Sequence, residues 1–154
     1  MMDDLQGYAA RLYRHEGVEP LLLALQDEAG LDVLLLLSAC WLGARGVAPA
    51  AVDWVALAGR CQPWRQELIE PLRQLRRRLK GESGAESLRA QVKACELEAE
   101  WLQLRRLAFC LEGLSGADNP CWLAQLHACC QAQGAQPGQA RLRRLAELCR
   151  ELSD

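Results

Sequence analysis

Apolar residues recur along this chain at helical rather than strand spacing. Leu5, Tyr8 or Ala9, and Leu12 share one face of a first helix over about 3–14, with Asp3 and Asp4 suited to its positive N-terminal end. Gly17 ends that run. A second helix is predicted from Pro20, which suits a first turn, through Leu21, Leu22, Leu23 and Leu25, with Gly30 as its stop. Asp32 is placed to cap a third helix. Residues 33–44 are apolar nearly all round, from Val33 through Leu34–Leu37 to Trp41 and Leu42, which predicts a central helix buried on all sides.

Past Gly43 and Gly46, a fourth helix is expected from Pro49 to about Arg60. A fifth is expected over about 63–80, with the stripe Trp64, Leu68, Leu72, Leu75 and Leu79, and with Arg73, Arg76, Arg77 and Lys80 on the opposite face. Pro71 should kink it or split off a first short helix. A sixth helix over about 85–112 would reach roughly 40 Å. Its stripe is Leu88, Val92, Cys95, Ala99, Leu102 and Phe109. A second apolar face opens in its later half at Leu97, Trp101, Leu104, Ala108 and Leu111. Residues 63–112 are therefore expected to form a projecting antiparallel helical hairpin, whose far arm re-enters the globule or meets another chain. After a break at Gly113–Ala117, Asn119 and Pro120 would open a seventh helix, and Pro137 an eighth.

Composition strengthens this all-α reading. Among 154 residues there are six Val, one Ile and no Thr, against 30 Leu and 23 Ala, too few β-branched side chains for an ordinary sheet. The length suits a single domain, a helical bundle of 7–8 helices. A hydrophobic fraction of 51% and a net charge of −2 exclude a disordered chain. No apolar stretch approaches the ~20 residues of a membrane span. The acidic start, Met1-Met2-Asp3-Asp4, lacks the regions of a secretory signal, so a cytoplasmic protein is expected. The eight cysteines then read as reduced thiols, mostly used as small core residues. No CxxC pair occurs and neither His15 nor His127 has zinc-ligand spacing, so no metal and no cofactor is expected.

Three places could carry chemistry. The turn Gln26-Asp27-Glu28-Ala29-Gly30-Leu31-Asp32 crowds polar groups at the entrance to the apolar helix that holds Trp41 and Arg45. It reads either as a pocket or docking epitope of Gln26, Asp27, Asp32, Trp41 and Arg45, or as a helix cap with a closed turn. The basic run Arg73, Arg76, Arg77, Lys80 could follow a phosphate backbone, or pair with Glu86, Glu96, Glu98 or Glu100 across the hairpin. No aromatics interleave with it, which disfavours nucleic acid. The doubly apolar half of the sixth helix reads as an interface or as a second packing layer. No local signature of a nucleophile, a phosphate loop or a carboxylate pair with its histidine appears, so no catalytic residue is assigned.

Leu25-Gln26-Asp27, Gly30-Leu31-Asp32-Val33, Leu35-Leu36 and Trp41-Leu42-Gly43, with Trp64 and Pro71-Leu72-Arg73, resemble an uncharacterised family of short, mostly proteobacterial all-helical proteins, a domain of unknown function. The resemblance spans residues 5 to about 112. That family often has Asn after the Asp-Val pair where Leu34 stands here, so no polar role is carried to this position. The resemblance implies no activity, substrate or cofactor. Three functions stay open on the sequence. The first is a non-enzymatic interaction or adaptor protein with a protein partner, a second copy of the chain being one candidate. The second is a small-molecule or lipid-binding domain with a pocket beside helix 33–44. The third is an RNA or ribosome contact through 73–80.

Overall fold

The computed structural model describes residues 4–116 and 119–154. Asp3 and Ala117, expected in the first helix and in the break after the sixth, lie outside the described residues. Within them the order is α1 (Leu5–Arg14), α2 (Val18–Ala29), α3 (Val33–Ala44), α4 (Trp54–Trp64), α5 (Glu70–Leu79), α6 (Glu86–Cys110), α7 (Trp122–Ala132) and α8 (Gln139–Ser153). A 3-10 turn at Pro49–Ala51 precedes α4, and a π turn at Arg65–Ile69 joins α4 to α5 without interruption. No described residue lies in a strand, and the chain forms one all-α domain. Among the described residues no helix is long and apolar enough to cross a membrane.

Local chemistry sets the early boundaries. Asp4 accepts from the Gly7 backbone N–H at 2.8 Å, and Asp32 from Leu34 at 2.9 Å. A cap of this kind is worth about 1 kcal/mol. Gly30 takes φ +69°, a left-handed value that lets α2 stop and α3 start within three residues.

The core is built around α3, in which every residue from Leu34 to Gly43 is buried. α7 runs against it so closely that a Cβ at Gly43 would stand 2.7 Å from Trp122 Cα. The Cys121 N–H donates to the Gly43 carbonyl at 2.8 Å, and α7 begins only after that anchor. Asn119 therefore does not cap α7 as expected; Cys121 holds the cap position. Gln125, fully buried, accepts from Trp54 Nε1 at 2.9 Å and donates to the Val47 carbonyl at 2.6 Å. α1, α2 and α8 close the remaining side with Leu5, Leu12, Leu22, Leu25, Leu145 and Leu148.

The fourth and fifth helices depart from expectation. They form one continuous rod from Trp54 to Leu79. Pro63 and Pro71 both lie in it, and each removes a backbone donor. The π turn sits between them and closes with the Glu70 N–H on the Arg65 carbonyl. Such a turn takes in one extra residue and so rotates the face that follows by about 100°. Buried Trp54, Leu57 and Cys61 would continue to Leu68, yet Ile69 is 3% exposed and Leu68 38%. The same rotation leaves Leu75 exposed and turns Arg73 and Arg76 towards α6, while Trp64 and Leu72 of the expected stripe still pack against the core and Arg77 and Lys80 stay exposed.

α6 is a 25-residue helix, about 37 Å long. Its buried positions are Val92, Glu96, Ala99, Gln103, Leu104 and Leu107. Cys95 and Phe109, expected inside, are exposed, Phe109 by 78%. The stripe is displaced because Glu96 and Gln103 find partners indoors, on α5 and at the Cys61 carbonyl. Trp64 pins the α4–α5 rod to α6: its Nε1 donates to the Ala99 carbonyl at 3.0 Å, and Arg106 stacks on its ring at 4.4 Å.

Candidate functional site

The α5–α6 contact is ionic where it is deepest. The Glu96 side chain is 6% exposed and receives Arg73 Nε at 3.4 Å. Arg76 reaches the same carboxylate with both arms, Nε to Oε1 and Nη2 to Oε2, the latter at 3.3 Å. Both guanidiniums are thus committed to one carboxylate. Glu100 stands one turn further along α6 and makes no hydrogen bond or ion pair among the described residues. Burial, and next the charge of Glu96, push its carboxyl up to about 7 against the pull of Arg73 and Arg76. Asp32 completes the group. It is buried, which raises its pKa, while Arg65 and the N–H groups of Leu34 and Leu35 pull the other way. Asp32, Glu100, Arg65 and Arg73 all border one small void. Four carboxylates (Asp32, Glu70, Glu96, Glu100) thus stand around three guanidiniums (Arg65, Arg73, Arg76).

Beside this cluster runs an apolar groove of about 480 Å³ between α1, α3 and α6. Its walls are pairs one helical turn apart: Ala9 and Tyr13, Val33 and Leu37, Leu97 and Trp101. Glu100 is the acidic residue of its lining and Arg14 the basic one. A second cleft of about 360 Å³ shares Tyr13, Val33, Leu97 and Glu100 with it and continues over Gln26, Arg73, Arg76 and Arg77. Leu97 and Trp101 are 55% and 38% exposed at this surface.

Parts of the three separate sequence candidates thus meet at one depression. Gln26 comes from the acidic turn, Arg73, Arg76 and Arg77 from the basic run, and Leu97, Trp101 and Leu104 from α6. The remaining members go elsewhere. Asp27 lies on the surface with Gln26 Nε2 at 3.4 Å and Arg77 at 3.2 Å, both charged partners about half exposed, a pair worth little. Lys80 is exposed at the end of α5. Leu104 and Leu111 are buried and Ala108 packs against the core, so the second face of α6 is mostly a packing layer. Trp41 and Arg45 stack on each other at 4.5 Å near the C-terminal end of α3. From Asp32 to Trp41 the helix rises about 14 Å. A rigid rod therefore holds the acidic turn and the Trp41–Arg45 pair apart.

All eight cysteines are free, five of them buried. Burial pushes Cys130 up to about 11 and Cys61 to about 12, with Asp32 adding to the latter, which leaves both as unreactive thiols. His15 faces Glu151 and His127 faces Gln139, each at 3.1 Å. Among the described residues no group of three His, Cys, Asp or Glu side chains is placed to hold a metal ion.

Residues 4–107 match the family described as "Protein of unknown function (DUF2390)". The chain belongs to this family. The DUF2390 segment contains the charged cluster and the whole groove, and it ends within α6. α7 and α8 lie beyond it, although Trp122 and Gln125 complete the packing around α3 and α4. No curated protein and no solved structure matches the chain. In this DUF2390 protein, the sequence pattern marks Glu96 and Glu100 only as pairing partners of the basic run, assigns Val33 and Leu37 to the buried central helix, and gives Tyr13 no site role. The available signal was two carboxylates one turn apart on the same side of α6 as Val92 and Ala99.

Proposed function

We propose that the protein is a non-enzymatic interaction module, acting in the cytoplasm, that seats an amphipathic helix of a partner protein in the α1–α3–α6 groove. The exposure of Leu97 and Trp101 over an apolar depression carries this reading. Surfaces of this kind mark interaction sites, and Trp is prominent among residues that dominate binding energy. The paired residues one turn apart on three helices support a helical occupant. They leave a channel between ridges into which the ridge of a fourth helix fits. Eight free cysteines, five of them indoors, suit a reducing compartment.

The test is site-specific photocrosslinking in the source cells. A benzophenone amino acid replaces Trp101 in one variant and Glu82, in the turn before α6, in another. The reading expects an adduct from position 101 alone, with the linked peptide mapping to an amphipathic helix of another protein. Adducts equal at both positions, or an adduct from 101 only to a second copy of this chain, overturn it.

A further inference from the structure

We propose that Glu100 sets the selectivity of the groove by taking one Lys or Arg side chain carried on the apolar face of the docked helix. This rests on the docking reading above and adds to it a chemical requirement on the partner. The argument begins with the local charge. Arg73 and Arg76 are both spent on Glu96, at 3.4 Å and through a two-armed contact, and neither makes an ion pair with Glu100. Arg65, the next cation, holds Glu70 at 3.0 Å and the Gly30 carbonyl at 2.9 Å. With Asp32 buried on the α3 side, carboxylates outnumber guanidiniums by one in this cluster, and Glu100 enters the apolar groove with no ion-pair partner among the described residues. A carboxylate so placed is costly until a cation meets it.

The rim does not cancel that excess. Glu19 and Lys93, both exposed, offset each other at the outer cleft. Arg14 is exposed and water-screened. A helix with a wholly apolar face would bury Glu100 unpaired. A helix with an acid there would add repulsion. One with a single basic residue among its apolar contacts satisfies both the groove and the carboxylate, and a charge-assisted hydrogen bond of this kind discriminates strongly.

The experiment uses a displayed library of 18-residue amphipathic helices with one randomised position on the apolar face, selected against the full-length protein. Selected peptides are measured against the parent protein and against Trp101→Ala, Leu97→Asp and Glu100→Gln, each checked for native helicity. A peptide carrying Lys is compared with its norleucine analogue, which keeps the length and removes the charge. The proposal expects Lys or Arg at the randomised position, and at least about tenfold weaker binding from either Glu100→Gln or norleucine. The two changes together should cost little more than one alone. Peptides that need Trp101 and Leu97 but show no basic preference and no change with Glu100→Gln overturn the proposal and leave the docking reading standing. Peptides indifferent to all three substitutions refute the docking reading itself. A concentration-dependent dimer in sedimentation, abolished by Leu97→Asp, gives the groove to a second copy and overturns both.

Discussion

Glu96→Gln is the substitution through which the α5–α6 contact can be weighed. The carboxylate is 6% exposed and holds two guanidiniums that are themselves 14% and 21% exposed. Removing one side of a buried pair costs about 3–5 kcal/mol, because the charge left behind has no partner. Two features reduce that figure. The partly exposed guanidiniums of Arg73 and Arg76 regain some water and keep the Glu100 carboxylate nearby, and the amide oxygen still accepts from Arg76. A loss of about 2–3 kcal/mol is therefore expected, a fall in Tm of roughly 5–10 °C for a domain of this size. Urea denaturation followed by circular dichroism should show a lower midpoint with an unchanged slope. Replacing Arg73, Arg76 and Glu96 together with leucine should not restore the parent's stability, because Glu100 and Asp32 then lose guanidiniums that pull against their burial. A loss under about 0.5 kcal/mol from Glu96→Gln would mark a surface ion pair. It would refute both the burial of this cluster and the helix rotation that places Arg73 and Arg76 against α6.

Three further outcomes are expected. Gly43→Ala should destabilise by about 1–3 kcal/mol, because the new Cβ would stand 2.7 Å from Trp122 Cα and one helix must move; an unchanged urea midpoint would contradict the α3–α7 contact. The carboxyl of Glu100 is pushed up to about 7, above its ordinary range, so folding favours its protonated form. That contribution is present at low pH and is lost as pH rises through 7. Glu100→Gln should accordingly be more stable than the parent at pH 8, by about 3 kcal/mol at most, with the difference gone near pH 4; a constant difference across that range would remove the assignment. In thiol labelling of the native protein, Cys95 and Cys110 should react first, Cys121 more slowly, and the five buried cysteines only after unfolding. Early labelling of Cys40 or Cys149 would contradict the packing of α3 and α8.

The groove and its charged cluster were only partly legible beforehand. Leu97 and Trp101 stood out as apolar residues on a helix already supplied with one stripe. Glu100 did not stand out, because a carboxylate on a long helix reads as solvated until its neighbours are known. The pairing of Arg73 and Arg76 with Glu96 is one choice among several on the sequence, and the rotation of about 100° at the π turn moves both residues from the expected outer face towards α6. Sequence pattern carries a 3.6-residue repeat forward unchanged, and nothing local announces a π turn between two prolines.

What the sequence by itself determined is the class and the centre of the molecule. So few β-branched residues leave no material for a sheet, and a helix apolar on every side, α3, has to be covered on every side. Asp32 and Gly30 set the corner before α3 through the geometry of their own residues. What only the tertiary structure decided is which faces of α5 and α6 turn inward. Those faces depend on one extra residue at Arg65–Ile69, and on polar groups that become buried only because partners from another helix meet them there. Burial of a charge is a property of a pair, and the pair exists only once the chain has folded.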